Sequence, residues 1–115
     1  MGGQRTERVA DLIQKEVAYI IQRKVRDPRL VGITITAVRM SRDLKRATVF
    51  YCDTLGRHER SDIDAAFAKA RTFIRRELAE RVYLRYLPDL SFVYDDSFDY
   101  GEKIDLLLRK IHGNG

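Results

Sequence analysis

Apolar residues recur at Val9, Leu12, Ile13, Val17, Ile20, Ile21 and Val25, in steps of three and four with charged residues between them. That spacing puts the apolar set on one stripe of an α-helix. Thr6 predicts its N-cap and Glu7 its first turn. Asp27-Pro28 closes it, because a proline disfavours helical geometry in the residue before it. Beyond Gly32 the pattern changes. Ile33 to Met40 and Ala47 to Cys52 are rich in β-branched residues and predict two strands. Ser41 to Arg46 between them is short enough for a hairpin tip. Helical spacing returns after Ser61-Asp62, with Ile63, Ala66, Phe67, Ala70, Ile74 and Leu78 on one stripe and Phe73 beside it. This second helix is expected to end near Glu80, since another residue would turn Arg81 onto the apolar stripe. Leu87-Pro88-Asp89 predicts a turn and Leu90 to Tyr94 a third strand. Ser97 to Ile111 predicts a closing helix with Ile104, Leu107, Leu108 and Ile111 as its stripe.

The order helix, strand, strand, helix, strand, helix implies an α+β domain, a three-stranded sheet with helices packed on one face. At 115 residues and 44% hydrophobic, the chain is expected to be one domain, 1–115, with short flexible ends at 1–5 and 112–115. Cys52 is the single cysteine, so an internal disulfide and a multi-cysteine metal site are both excluded, which suits a reducing cytoplasm. No apolar run approaches the roughly 20 residues of a membrane span. Met1-Gly2-Gly3-Gln4-Arg5 lacks the apolar stretch of a signal peptide. Thr6 meets one requirement of a myristoylation signal, but nothing else supports membrane anchoring.

Charge gives the pattern a partner. The formal net charge is +5, which favours polyanions and a binding that weakens steeply with salt. From Asp89 onward six acids face three bases, so the excess positive charge lies before it. Between Lys69 and Arg85 stand Lys69, Arg71, Arg75, Arg76, Arg81 and Arg85, against Glu77 and Glu80. On a helical wheel Arg71 and Arg75 share one flank and Lys69 and Arg76 the other. Planar arginine forks match phosphate oxygens, so the segment can grip a nucleic-acid backbone from two sides. The plainer alternative is a solvated amphipathic face. The hairpin tip, with Arg42, Lys45 and Arg46, and the loop with Arg23, Lys24, Arg26 and Arg29 add positive charge and favour RNA.

Catalytic arrangements are mostly missing. There is no phosphate-binding Gly-rich loop with a lysine, no Gly-x-Ser-x-Gly elbow and no histidine pair at helical spacing. His58 and His112 are expected in a loop and at a helix end, as solvent-exposed side chains. Asp95, Asp96, Asp99 and Glu102 could hold a hard cation, but Asp95, Asp96 and Ser97 equally suit a turn and helix start. Tyr83, Tyr86, Phe92, Tyr94, Phe98 and Tyr100 are base-stacking candidates by type only, and none is assigned that role.

Four segments resemble the bacterial ribosome-binding factor A family: Arg26-Asp27-Pro28-Arg29-Leu30, Met40-Ser41-Arg42-Asp43-Leu44, Phe73-Ile74-Arg75-Arg76-Glu77-Leu78, and Leu84 to Asp95. The resemblance spans roughly Arg8 to Leu108. It implies a type II KH-like fold (helix, strand, strand, helix, helix, strand) and a non-enzymatic role in late maturation of the small ribosomal subunit. It also implies binding to the immature 30S subunit and its 16S rRNA, help in processing the rRNA 5′ end, and support of growth in the cold. The family interrupts a helix at an Ala-x-Gly motif, which falls here on Ala70-Arg71-Thr72. Thr72 stands where the family has glycine, and threonine tolerates fewer backbone conformations. The RNA-binding set expected from charge and resemblance together is Arg42, Lys45, Arg46, Lys69, Ala70, Arg71, Thr72, Arg75, Arg76, Arg81 and Arg85. No cofactor is implied. Two competing functions remain: a protein adaptor contacting ribosomal proteins or an assembly GTPase through the acidic segment from Asp95 to Asp105, and a nuclease using the acid cluster. No spare apolar stripe requires a second copy, so a monomer is expected.

Overall fold

The computed structural model describes residues 2–97. Helix α1 spans Gly2–Arg23, a 3-10 turn spans Pro28–Leu30, strands β1 and β2 span Ile33–Met40 and Arg46–Asp53, helix α2 spans Arg60–Arg81, and strand β3 spans Asp89–Tyr94. The closing helix expected over Ser97 to Ile111 lies almost wholly outside the described residues. So do Asp99 and Glu102.

Helix α1 starts a turn earlier than the expected Thr6 cap, at Gly2. No proline precedes Thr6 to stop it, and Gln4 and Arg5 are good helix formers that extend the first turn. Its buried stripe is Ala10, Ile13, Val17, Ile20 and Ile21, with Val9 half-buried and Leu12 exposed. The chain then leaves the helix with the Val25 amide still on the Ile20 carbonyl at 3.1 Å. Asp27 caps the 3-10 turn, accepting from the Arg29 amide, while Pro28 at its start donates nothing that a first turn needs. Leu30 then enters the core.

The sheet order is β1-β2-β3. β1 and β2 pair antiparallel through the hairpin, and β2 and β3 pair parallel. A parallel neighbour requires a crossover, and α2 supplies it. The β1–β2 register slips between Ile35 and Ala37, which leaves Thr36 as the extra residue of a bulge. Its polar groups are occupied, because its hydroxyl donates to Asp95 Oδ2 at 2.5 Å and its carbonyl accepts from Gln14 Nε2 at 3.3 Å.

Alternate residues of the central strand, Ala47, Val49 and Tyr51, are buried and belong to one core with both helices. The Phe67 ring stacks on Phe92 with centroids 4.3 Å apart and tilts against Tyr51 at 4.8 Å. The Tyr51 hydroxyl escapes the apolar surroundings by donating to Asp64 Oδ1 at 2.6 Å. Burial, and next the bond to Asp64, push its pKa upward. Cys52 is buried and in no disulfide.

Helix α2 departs from the implied pattern. Residues 60–81 form one α-helix, without interruption at Ala70-Arg71-Thr72, so one long helix stands where the resemblance implies two. Thr72 explains the difference in part, since its Cβ disfavours the backbone excursions open to glycine. The buried stripe of Ile63, Ala66, Phe67, Ile74 and Leu78 does the rest, because it keeps helical phase across the position and rewards continuity. The helix ends at Arg81, within a residue of the expected boundary.

Candidate nucleic-acid interface

The expected cations divide by what the fold does with them. Arg75 leaves α2 beside the buried Ile74 and turns to the incoming turn before β3. Its Nε donates to the Pro88 carbonyl at 3.1 Å and its Nη2 to the Leu87 carbonyl at 3.0 Å, with Asp89 Oδ1 3.4 Å from Nη2. Those carbonyls lie in a turn whose proline cannot donate, so the guanidinium supplies what the backbone lacks. Arg81, brought round to the packed side as the wheel requires, faces α1. Its guanidinium carbon lies 4.2 Å from the Tyr19 ring centroid, and its Nε is 3.9 Å from Glu16. That Nε is buried without a hydrogen-bond partner, so the ring and the carboxylate are what hold it.

Arg29 is used in the same way. Its Nε and Nη2 reach the two carboxylate oxygens of Asp27 at 3.1 and 2.8 Å. These bonds, followed by the one from the Arg29 amide, lower the Asp27 pKa from 3.8 to about 2.

Lys69, Arg71 and Arg76 are exposed along α2, and no hydrogen bond or ion pair among the described residues holds them. Arg71, Thr72, Arg75 and Arg76 line a shallow groove with Leu87 and Asp89. Arg76 lines this groove from its far side: seven residues on from Lys69 along one continuous helix, it keeps the flank of Lys69 that the wheel predicts and stands between the two grooves. On that flank Lys69, Ala70 and Phe73 line a second groove with Lys24, Val25, Arg26 and Asp27. The sequence predicts these loop cations as added positive charge favouring RNA but places none of them beside α2. The fold adds Lys24 and Arg26 to the α2 ridge.

The hairpin tip is closed by its own hydrogen bonds. The Ser41 hydroxyl donates to Asp43 Oδ1 at 2.7 Å, which also accepts from the Lys45 amide at 3.0 Å, and Leu44 takes a left-handed φ of 62°. The bond from Ser41, then that from the Lys45 amide, hold the Asp43 carboxyl below the usual range. Arg42, Lys45 and Arg46 are exposed around it. The Asp89 amide donates to the Lys45 carbonyl at 2.9 Å, which ties the tip to the same turn that Arg75 clamps. Arg85 and Tyr86 lie beside the tip, with Lys45 Nζ 5.7 Å and the Arg85 guanidinium carbon 5.4 Å from the Tyr86 ring centroid.

Sequence reasoning missed the clamps. A usable signal was present: a turn built on Leu87-Pro88 presents carbonyls that need a donor, and Asp27 two residues before Arg29 is at pairing distance. Among the described residues no group of His, Cys, Asp and Glu is placed to hold a metal ion, and no helix is long and apolar enough to cross a membrane. Asp95 instead accepts from the Ser97 amide at 3.0 Å, the turn use that its sequence context suggested.

The described residues thus form a small α+β domain with a basic helical ridge and a basic hairpin tip, the build of a polyanion-binding module. A family model described as ribosome-binding factor A matches residues 5–108. Ribosome-binding factor A of Desulfatibacillum aliphaticivorans is 48% identical over 107 residues, which cover 93% of this chain and 87% of the relative. The crystal structure of ribosome-binding factor A from Thermus thermophilus superposes with a TM-score of 0.70 at 29% identity, covering 77% of this chain and 94% of that one. Coordinates of the Thermus thermophilus factor fitted as a homology model into a cryo-EM map of its 30S complex give a TM-score of 0.62 at 32% identity, covering 73% and 88%. The chain belongs to the ribosome-binding factor A family, whose members are non-enzymatic ribosome assembly factors.

Proposed function

We propose that this protein, as a single KH-like domain in the cytoplasm, binds the immature 30S subunit through its 16S rRNA and assists late maturation, including processing of the rRNA 5′ end. The α2 ridge is the principal contact. Lys69, Arg71 and Arg76 lie exposed along one helix, with Lys24 and Arg26 across one groove and the hairpin tip beyond the other. That exposure carries the proposal, because cations not spent inside the fold are the ones able to replace phosphate counterions. The fitted 30S complex of the Thermus thermophilus factor supports the choice of partner. The order of helix, strand, strand, long helix and strand accords with a KH-like domain whose two middle helices are joined. Cations on a continuous helix are spaced by its rise, so this chain would track a phosphate backbone without an Ala-x-Gly break.

The test is association with immature 30S particles by sedimentation, combined with primer extension across the 16S 5′ end in cells lacking the protein, grown warm and cold. K69E/R71E/R76E should fail to sediment with the particles and fail to clear 5′-extended precursor, most visibly in the cold. Normal association and processing by this variant would overturn the proposal.

A further inference from the structure

A second basic surface has a composition the α2 ridge lacks. A cleft of about 430 Å³, whose lining includes Arg5, Arg42, Asp43, Tyr83, Arg85 and Tyr86, lies between the start of α1, the hairpin tip and the segment after α2. Its volume falls in the roughly 300–1,000 Å³ range of small-molecule sites. Arg5, Arg42 and Arg85 give it positive charge, and the Asp43 carboxylate is already occupied by Ser41 and the Lys45 amide.

Its tyrosines are held outward by the chain on either side. Past the end of α2 the backbone is extended at Val82, with φ −127° and ψ 145°, so side chains alternate. Val82 is buried and Leu84 packs against the core, which leaves Tyr83 fully exposed between two anchors. Tyr86 is 51% exposed, with its ring near Lys45 and Arg85. A fully exposed tyrosine beside arginines does nothing for the core. It presents a π-face and a hydroxyl to whatever docks there.

We propose that this cleft binds an unpaired RNA strand, stacking a base on Tyr83 or Tyr86 with the adjoining phosphates on Arg5, Arg42 and Arg85. Duplex RNA offers phosphates and groove edges but no free base faces, so an aromatic site selects a single strand. The inference rests on the RNA-binding reading above and gives it a second, structurally different contact. The α2 ridge takes backbone of any kind, and the cleft takes unpaired bases.

The experiment measures anisotropy of fluorescein-labelled decauridylate and decaadenylate, and of a blunt 16-base-pair RNA duplex, titrated with the full chain. Y83A/Y86A should weaken single-strand binding about tenfold or more, leave duplex binding within twofold, and leave the salt slope intact. Y83F/Y86F should restore single-strand binding, because the ring is what stacks. Unchanged melting temperature confirms that both variants fold, as the exposure of these side chains predicts. Single-strand binding by Y83A/Y86A within twofold of the native chain would overturn the proposal, as would equal losses on single strand and duplex or no single-strand binding by the native chain. Loss of 30S association with single-strand binding intact would overturn it too, pointing to a ribosomal protein as the occupant. K69E/R71E/R76E separates the two readings: if it leaves duplex binding unchanged while Y83A/Y86A abolishes single-strand binding, the ridge fails and the cleft stands.

Discussion

The seams of this molecule and its ridge carry the same side chain for opposite purposes. At the seams, Arg29 closes on Asp27, Arg75 on the Leu87 and Pro88 carbonyls, and Arg81 on Tyr19 and Glu16. On the ridge, Lys69, Arg71 and Arg76 face solvent. Arg75 and Arg76 are sequence neighbours, yet one joins a turn to a helix and the other is available to a ligand. A net charge of +5 is therefore not a count of ligand contacts. Seam and ridge arginines differ in what their loss should change, stability in one case and salt-dependent affinity in the other.

The largest effect should come from the ridge. K69E/R71E/R76E should weaken binding to 16S rRNA on the order of 100-fold at physiological salt and lower the slope of log K against log salt by about 2–3. Its urea midpoint should barely move, because surface substitutions away from special features stay within about 0.5 kcal/mol each. Filter binding across a salt series and urea titration check both halves. A slope that stayed unchanged would place the phosphate contacts elsewhere.

Arg75→Ala should do the reverse. It leaves the Leu87 and Pro88 carbonyls without their donor and frees the turn before β3, which should cost about 1–2 kcal/mol after allowance for partial exposure. The salt slope should fall by less than one phosphate's share. Arg75→Lys should not rescue it, since an ammonium cannot span two carbonyls as the planar fork does. Urea unfolding of the three chains reads the difference directly.

The elements were largely legible in the residues, while the use of individual cations was not. β-Branched runs and turn residues located both strands of the hairpin, and apolar spacing located α2 to within a residue at each end. Period and propensity are local properties, so one sequence suffices. Arg75 shows where that stops. Its role depends on Leu87 and Pro88, more than ten residues away, and no wheel of α2 alone reveals them. Arg76 makes a similar point, because the groove it lines with Arg71 and Arg75 is completed by Leu87 and by Asp89 of β3. Arg81 is the informative exception. Its clash with the apolar stripe was visible from phase alone, and the structure answers it by packing the guanidinium on Tyr19. Tyr83 was one candidate among six by type; its exposure became clear only once Val82 and Leu84 were known to face the core.

A smaller seam effect is readable by pH. The folded-state pKa of Asp27 is depressed from 3.8 to about 2, so its contribution is complete above the unfolded value and is lost as pH falls from about 4 towards 2. The full shift corresponds to about 2 kcal/mol, which solvent screening reduces to about 1–2. Asp27→Asn should remove that part of the acid sensitivity while leaving RNA affinity at neutral pH unchanged. Urea midpoints from pH 2 to pH 5 for the two chains should converge at the acid end. Parallel curves would mean that the Asp27–Arg29 pair persists unfolded or does not hold the turn.

The smallest effect decides how far the ridge extends. Arg26 lines the groove beside Lys69 and forms none of the clamps, although it is next to Asp27, which does. If the ridge reaches across that groove, Arg26→Ala should weaken 16S rRNA binding about two- to fivefold and reduce the salt slope by roughly 0.7–0.9, one phosphate's share, without moving the urea midpoint. Combined with K69E/R71E/R76E it should add little, because the backbone strand it would touch is no longer held in place. Equal losses in both backgrounds would instead make Arg26 an independent contact and split the ridge in two. A drop in stability would move it among the seam residues, with Asp27 as the partner it shares with Arg29.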